Sequence, residues 1–433
     1  MAGHKDRSIH CTTQATALFE PVYTQSSVLK RRTVRFGASG DPSKSTEITI
    51  HVEGSEIDYL DLSRHTLEVL CKITKEDGTN LAAGDKVGLI NFGLYSLFSK
   101  CEVYANEALI SNNSDTYPYH EYFLKVLNYS KAAKEVQFAT TLYSKDDPGK
   151  LDEVDGDNNS GLKTRAAKTA LSKEIQLRGR INLDLFNQSR LLLNKTDLKI
   201  VLTRSSDKFC LMHADGNNYK VEITGLEFMV DRVSINPSVQ NENEQTLKTK
   251  STMYPITSCQ IKTFDISTGT LQITKESLFT GQKPRRLIIG LVESTAAAGN
   301  NKKNPFNFKH MNLNQLKVEF DGESYPTQPM KMNYEKDQYA EPYEMLLYGT
   351  GILNDDRAID ITMEDFKNGT AIYVIPLTPN DPECEAFDPV EHGAVRLTMN
   401  FAKATTTTAR AIIMAEFERV YEIDKYRNIL RPN

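Results

Sequence analysis

Lys30, Arg31, Arg32 and Arg35 stand close together in the stretch LKRRTVRFG, and cations at that density neutralise phosphates without reading base sequence. The first 45 residues carry seven Lys or Arg against three Asp or Glu. The same segment therefore also suits an arm that docks on neighbouring subunits, or a solvated charge run. Four charges are too few to condense a long nucleic acid and enough for one contact, so the arm contact is the preferred reading. A second candidate lies in KKNPFNFKHMNLNQLKVEFDG, where Phe306 and Phe308 sit among lysines, asparagines and a histidine. Two residues apart, they share one face of an extended chain. Exposed in a basic groove they would stack on bases, but the whole chain has a net charge of −5. Buried, each ring would contribute about 2–3 kcal/mol. Asn304–Asn312 is thus expected to pack between sheets or between subunits, with Lys302 and Lys303 solvated.

Catalytic chemistry finds little support. The eight histidines lie far apart and none begins H-E-x-x-H; neither a G-x-S-x-G elbow nor a G-x-x-x-x-G-K-[ST] loop occurs. YGTGILND, from Tyr348, holds a lone Gly-x-Gly that reads as a flexible loop. DEVDGDNN, from Asp152, invites calcium, yet an EF-hand loop counted from Asp155 places Ser160 and Ala166 where Gly and Glu are required. The six cysteines, at 11, 71, 101, 210, 259 and 384, include no C-x-x-C pair and read as buried or half-buried thiols. No catalytic residue, metal or other cofactor is expected. A glycosidase pair of carboxylates meets only in space and leaves no mark in sequence. A sugar-binding sandwich also stays open, since 19 tyrosines could supply the aromatic plate that the absent tryptophan does not.

The elements that would position these residues are strands. EITIHVE puts Ile48, Ile50 and Val52 on one face; TLEVLCKI does the same with Leu67, Val69, Cys71 and Ile73, and AVRLTMNF with Val395, Leu397, Met399 and Phe401. Only a few segments have helical spacing, the best being YPYHEYFLKVLNYSKAAKEV, Tyr117 to Val136. No apolar run approaches the ~20 residues that span a bilayer, and MAGHKDRSIHCTTQ lacks the apolar core of a secretory signal. The expectation is a soluble, mainly β chain from a reducing compartment.

The halves also resemble each other. CEVYANEALI (from Cys101) aligns with LKVEFDGESY (from Leu316), PYHEYFLKVL (from Pro118) with PYEMLLYGTG (from Pro342), LKIVLTR (from Leu198) with VRLTMNF (from Val395), and LEFMVDRV (from Leu226) with AEFERVYEI (from Ala415). The order is the same throughout, which predicts a tandem duplication. The expected organisation is an N-terminal arm over 1–45, a first jelly roll over 46–237, a second over 238–425, and a tail over 426–433. The acidic, Gly- and Asn-rich stretch Lys145–Lys163 is expected as an inserted, solvated and mobile loop of the first unit. Two eight-stranded sandwiches in tandem, with a few short helices in loops, make one chain into two similar wedges. Three copies then give six.

From about Glu47 to Leu430 the chain resembles the double jelly-roll major capsid proteins of Polinton (Maverick) elements and adintoviruses. The resemblance is carried by SDTYPYHEYFLKVLNYSKAAKEVQF, GLKTRAAKT, KFCLM after LTRSSD, ESLFTGQKPRRLIIGLV, KKNPFNFKHMNLNQLKVEFDG and AEFERVYEIDKYRNIL. It implies a structural protein: a homotrimeric, hexon-like capsomer that joins neighbouring capsomers in an icosahedral shell around double-stranded DNA. Its implied location is the virion capsid, assembled inside the host cell. Its implied associates are a single jelly-roll penton protein, a maturation protease and a packaging ATPase. Lys30, Arg31, Arg32 and Arg35 become candidates for an inner-surface or arm contact, with non-specific contact to packaged DNA. A host-domesticated capsid-like protein and a carbohydrate-binding β-sandwich are the alternatives. Asn106-Glu107 departs from the Asn-Gly that relatives carry at this hairpin, which leaves its turn type open.

Overall fold

A computed structural model of the chain describes residue 18 and residues 24–430, apart from 113–114, 155–157, 215, 354–355 and 380–385. The expectations for Cys11, Cys384, Asp155, most of 1–23 and residues 431–433 lie outside the described residues. The long strands of the first half are β1 (Val28–Ser39), β2 (Glu47–Val52), β3 (Tyr59–Lys75), β4 (Phe98–Ala105), β5 (Ala108–Asn112), β6 (Ile175–Gly179), β7 (Leu198–Arg204) and β8 (Tyr219–Ile235). Those of the second half are β9 (Thr252–Ile266), β10 (Gln272–Gln282), β11 (Arg286–Glu293), β12 (Leu313–Phe320), β13 (Glu323–Lys331), β14 (Ile372–Pro376), β15 (His392–Phe401) and β16 (Ala409–Ile423).

Pairing is antiparallel throughout these strands. In the first half one sheet runs β1-β8-β3-β6 and the other β2-β7-β4-β5; they join where Ala38 and Ser39 of β1 meet Ile50 and Thr49 of β2. In the second half the sheets are β9-β16-β11-β14 and β10-β15-β12-β13. Numbered within each half, the order is 1-8-3-6 and 2-7-4-5 both times. That is the order of a jelly roll, in which eight strands form two Greek keys and fold into a sandwich. Among the described residues no sheet mixes strands from the two halves. Between them lies the helix Pro237–Leu247, with Pro237 at its first turn and the Asn236 side chain accepting from the Ser238 amide at 3.0 Å.

The sequence repeats fall at equivalent places. The first pair forms the β4–β5 and β12–β13 hairpins, the third pair lies in β7 and β15, and the fourth in β8 and β16. The aromatic pair lies in the helices Tyr117–Asn128 and Ala340–Gly349, each following the fifth strand of its half. Both hairpins turn through left-handed residues, Asn106 (φ 43°) with Glu107 (φ 65°) and Asp321 (φ 47°) with Gly322 (φ 89°). Two such residues match the twist of antiparallel strands, so the turn geometry survives the missing glycine at Glu107. Ile48, Ile50, Val52, Leu67, Val69, Cys71 and Ile73 are all buried, as their alternation requires, within a continuous apolar core that includes both sandwiches.

Three boundaries differ from expectation. Residues 28–39 are the first strand of the first sandwich, paired with β8 from Val28 to Gly37, not part of an arm. Their charged outer side hides the strand pattern. Lys145–Lys163 is not a solvated loop where described. Lys145 pairs with Asp360 at 2.9 Å and Asp365 at 2.8 Å, the Gly149 amide donates to the Asn368 carbonyl at 2.6 Å, and Leu151 is buried. Lys145 and Asp152 of this loop find partners 152 to 220 residues away, which composition cannot show. The helical segment from Tyr117 breaks at Tyr129 (φ −126°, ψ 141°) and restarts as Lys131–Gln137, with Ser130 as its N-cap.

Candidate functional site

The seam between the sandwiches gathers the side chains that sequence reasoning singled out, along with several it missed. Phe306 and Phe308 follow a turn in which the Asn304 side chain accepts from the Phe306 amide at 2.9 Å. That turn is held to the first half by the Asn304 amide, which donates to Asp152 at 2.9 Å. Both rings are buried, Phe306 at 2% and Phe308 at 0% exposure, so neither is available to a nucleic acid or a second subunit. Their partners come from helix Tyr117–Asn128. Tyr122 stacks on Phe306 at 4.4 Å between centroids, Tyr119 meets it edge-on at 5.8 Å, and Phe123 lies 5.2 Å from Phe308. Such ring pairs contribute about 0.5–1.5 kcal/mol beyond burial. Gly290 in β11 makes room: a Cβ there would overlap the Phe308 ring. Lys303 is not simply solvated, since it reaches Glu293 at 3.4 Å and Asp152 at 3.7 Å, beside Lys309 on the same carboxylates.

Behind the rings lie buried charges. Glu121 and Lys125, one helical turn apart, pair at 2.9 Å with side-chain exposures of 0% and 1%. Glu121 also accepts from the Asn182 amide at 2.9 Å and side chain at 2.7 Å. Burial acts to raise its pKa, but Lys125, His120 and Asn182 leave it below the usual glutamate value. Arg286 of β11 makes a bidentate pair with Glu416 of β16, at 2.6 and 2.8 Å. The same guanidinium donates to the Gly349 carbonyl at 2.9 Å and to Asn128 at 3.3 Å. One arginine thus holds the C-terminal ends of both repeat-related helices. A third contact runs from Tyr421 of β16, whose hydroxyl donates to the Ile110 carbonyl of β5 at 3.0 Å. Near it Asp184 is buried, and burial pushes its carboxyl up to about 6.

The basic cluster lies elsewhere, on β1. Arg31 pairs with Asp61 and reaches Asp231 at 3.6 Å; Arg32 pairs with Asp58 at 2.7 Å; Arg35 pairs with Glu227 at 3.1 Å. Lys30 is exposed and has no ion-pair partner among the described residues. Burial acts to raise Asp58 and Asp61, but Ser234 with Arg32, and Ser63 with Arg31, hold both below the ordinary carboxylate value. Four carboxylates from β8 and from positions 58–61 thus pair with three of the four cations in place and leave Lys30 exposed. The signal that sequence reasoning lacked was long-range register: Arg31 faces Val233 and Arg35 faces Met229 across β8. Among the described residues no three His, Cys, Asp or Glu converge to hold a metal ion, and no helix is long and apolar enough to cross a membrane.

Two sandwiches of one strand order, welded by aromatic and buried ionic contacts, define a double jelly-roll chain of the kind seen in major capsid proteins. Residues 183–420 match the family described as "Double jelly roll-like domain", and the chain belongs to that family. A Caenorhabditis elegans protein described as "Uncharacterized protein F54H12.2" is 28% identical over 384 residues, covering 86% of this chain and 89% of that protein. The Sputnik virophage structure superposes with a TM-score of 0.67 at 12% identity, over 98% of this chain and 93% of that one. The PBCV-1 virus capsid gives 0.60 at 11% identity, over 96% and 100%. The mavirus major capsid protein gives 0.52 at 11% identity, over 98% and 95%. At these identities the likeness is one of fold.

Proposed function

We propose that the chain is a structural major capsid protein of a Polinton-like or adintovirus-like element. Three copies around a threefold axis form a pseudo-hexameric capsomer, and capsomers tile an icosahedral shell around double-stranded DNA. The observation that carries this reading is the exact repetition of the 1-8-3-6/2-7-4-5 order in one chain, with the halves locked at a buried seam. A block with two equivalent wedges turns threefold symmetry into six-sided packing. Function on this reading lies in distributed contacts with sister subunits, neighbouring capsomers and a penton protein, with no catalytic residue and no cofactor. The protein's place is the virion, assembled within the host cell.

A second reading, a capsid-like protein retained by a host for another role, is favoured by the nematode relative, which shows that an animal carries a chain of this kind. Light scattering of the purified chain tests the first reading, followed by electron microscopy of the same peak. One chain is 48.8 kDa, so a trimer scatters near 146 kDa, three times that mass, and images as hexagonal blocks or shells. A monomer at micromolar concentration, with no assembly across salt and pH, would refute autonomous capsomer formation.

A further inference from the structure

An open apolar groove of about 560 Å³ lies beside the connecting helix Pro237–Leu247, within the ~300–1,000 Å³ range of sites that seat ligands. Its floor and walls include Val28, Leu191, Val239, Met253 and Tyr254, and Met253 is 55% exposed. Lys250 and Arg190 stand on its rim, and Lys250 has no ion-pair partner among the described residues. Ser27 also lines the groove, so the chain's own N-terminal segment departs from this spot. That segment contains LFEPVY, Leu18 to Tyr23, in which apolar residues flank one carboxylate, Glu20. Leu18 is 79% exposed on its own chain and is not seated in its own groove.

We propose that the groove receives residues 18–23 of a second copy, with the apolar side chains on Met253 and Leu191 and Glu20 paired to Lys250. An arm that leaves where another arm enters makes a head-to-tail contact, and such a contact closes into a ring when the rotation permits. The inference rests on the reading that copies of the chain associate. It also moves the arm contact from the basic cluster, whose arginines pair with carboxylates of β8 and positions 58–61, to the apolar residues that precede it.

The probe is a fluorescein-labelled peptide of residues 14–26, titrated into the full-length variant Phe19→Ser/Val22→Ser, whose own arm cannot compete. Fluorescence anisotropy is expected to rise saturably. Met253→Glu, at an exposed position, is expected to weaken binding at least tenfold. Lys250→Glu is expected to weaken it as well, with a Glu20→Lys peptide restoring the loss. Absence of saturable binding, or binding indifferent to Met253→Glu and to the charge exchange, would overturn the proposal. So would a wild-type chain that scatters as a monomer and excludes the peptide, because its groove is then filled by its own arm. The capsomer reading is scored separately by the mass. A wild-type trimer whose arm variant ignores the peptide sinks the groove alone; a wild-type monomer whose arm variant binds it sinks the trimer alone.

Discussion

Replacing Arg286 with methionine removes a side chain that ties β11, β16 and both repeat-related helices together. Its guanidinium and the Glu416 carboxylate are 9% and 4% exposed, so the variant leaves a charge in a dry site. Breaking a buried pair from one side costs about 3–5 kcal/mol. The Gly349 carbonyl and Asn128 lose a donor as well. The double variant Arg286→Met/Glu416→Leu removes both charges; apolar replacement of a whole pair is often neutral, so what remains is about 1–2 kcal/mol for the two lost hydrogen bonds. Urea denaturation followed by circular dichroism reads this as a larger midpoint shift for the single variant than for the double, at constant slope. If the sandwiches unfold separately, the shift belongs to the step that exposes β11 and β16. A single variant that loses less than 1 kcal/mol, or a double that loses as much as the single, would show that this pair does not hold the seam.

Three further outcomes follow from the same structure. Glu107→Gly should stabilise the chain by about 0.5–1 kcal/mol, because a left-handed residue with a Cβ is strained and the gain is partly offset by glycine's freedom in the unfolded chain; thermal unfolding measures it, and a loss would mean that Glu107 makes a contact outweighing its backbone. Acid should destabilise the chain through His65, whose Nδ1 donates to the Leu62 carbonyl at 2.6 Å while Nε2 accepts from the Ile181 amide at 2.8 Å. Burial lowers its pKa from 6.5 to about 4. The unfolded chain then binds the proton first, so about 3 kcal/mol of stability present above pH 6.5 is lost as pH falls to 4. Asp184 acts oppositely: its folded carboxyl, raised to about 6, favours the fold at low pH and loses that contribution as pH rises through 6. Asp184→Asn should therefore raise stability at pH 7.5 by up to about 3 kcal/mol and steepen the acid loss between pH 6 and 4. An unchanged pH profile would refute the assignment.

Much of the fold was legible because short-range pattern carries it. Ile48, Ile50 and Val52 alternate because one face of β2 is buried, and the matched hairpins repeat because the same turn recurs. The seam was less legible. Phe306 and Phe308 announced burial, but not that Tyr119, Tyr122 and Phe123 would cover them, since those residues lie more than 180 positions earlier and read equally as the apolar face of any helix. Arg286 and Glu416 could have been suspected, as each interrupts or abuts an apolar strand, LIIGLV and AIIMAEF, where an unpaired charge would be costly. Their pairing could not, because strand neighbours β11 and β16 are joined through more than a hundred intervening residues. The first strand was misread for the same reason: LKRRTVRFGA shows its cations, while Asp58, Asp61, Glu227 and Asp231 that neutralise them are remote.

The placement of that strand gives its cations a different use. From Val28 to Gly37 one side of β1 pairs with β8, and the other has no strand partner among the described residues. An open edge invites pairing with another chain, and charge on the strand is one of the means by which natural sheets prevent it. Three edges of the second half are treated comparably. β13 carries Pro326 and Pro329, β9 carries Pro255, and the register of β10 breaks between Lys275 and Phe279. Proline withholds the amide that an added strand would need, and a bulge bends the edge away. On the proposed capsid reading, a chain that meets many copies of itself at high concentration would aggregate if its edges were open. With those edges blocked, contact between copies is left to loops, sandwich faces and terminal segments. The apolar groove beside Pro237–Leu247, next to where the N-terminal segment departs, is a surface of that permitted kind.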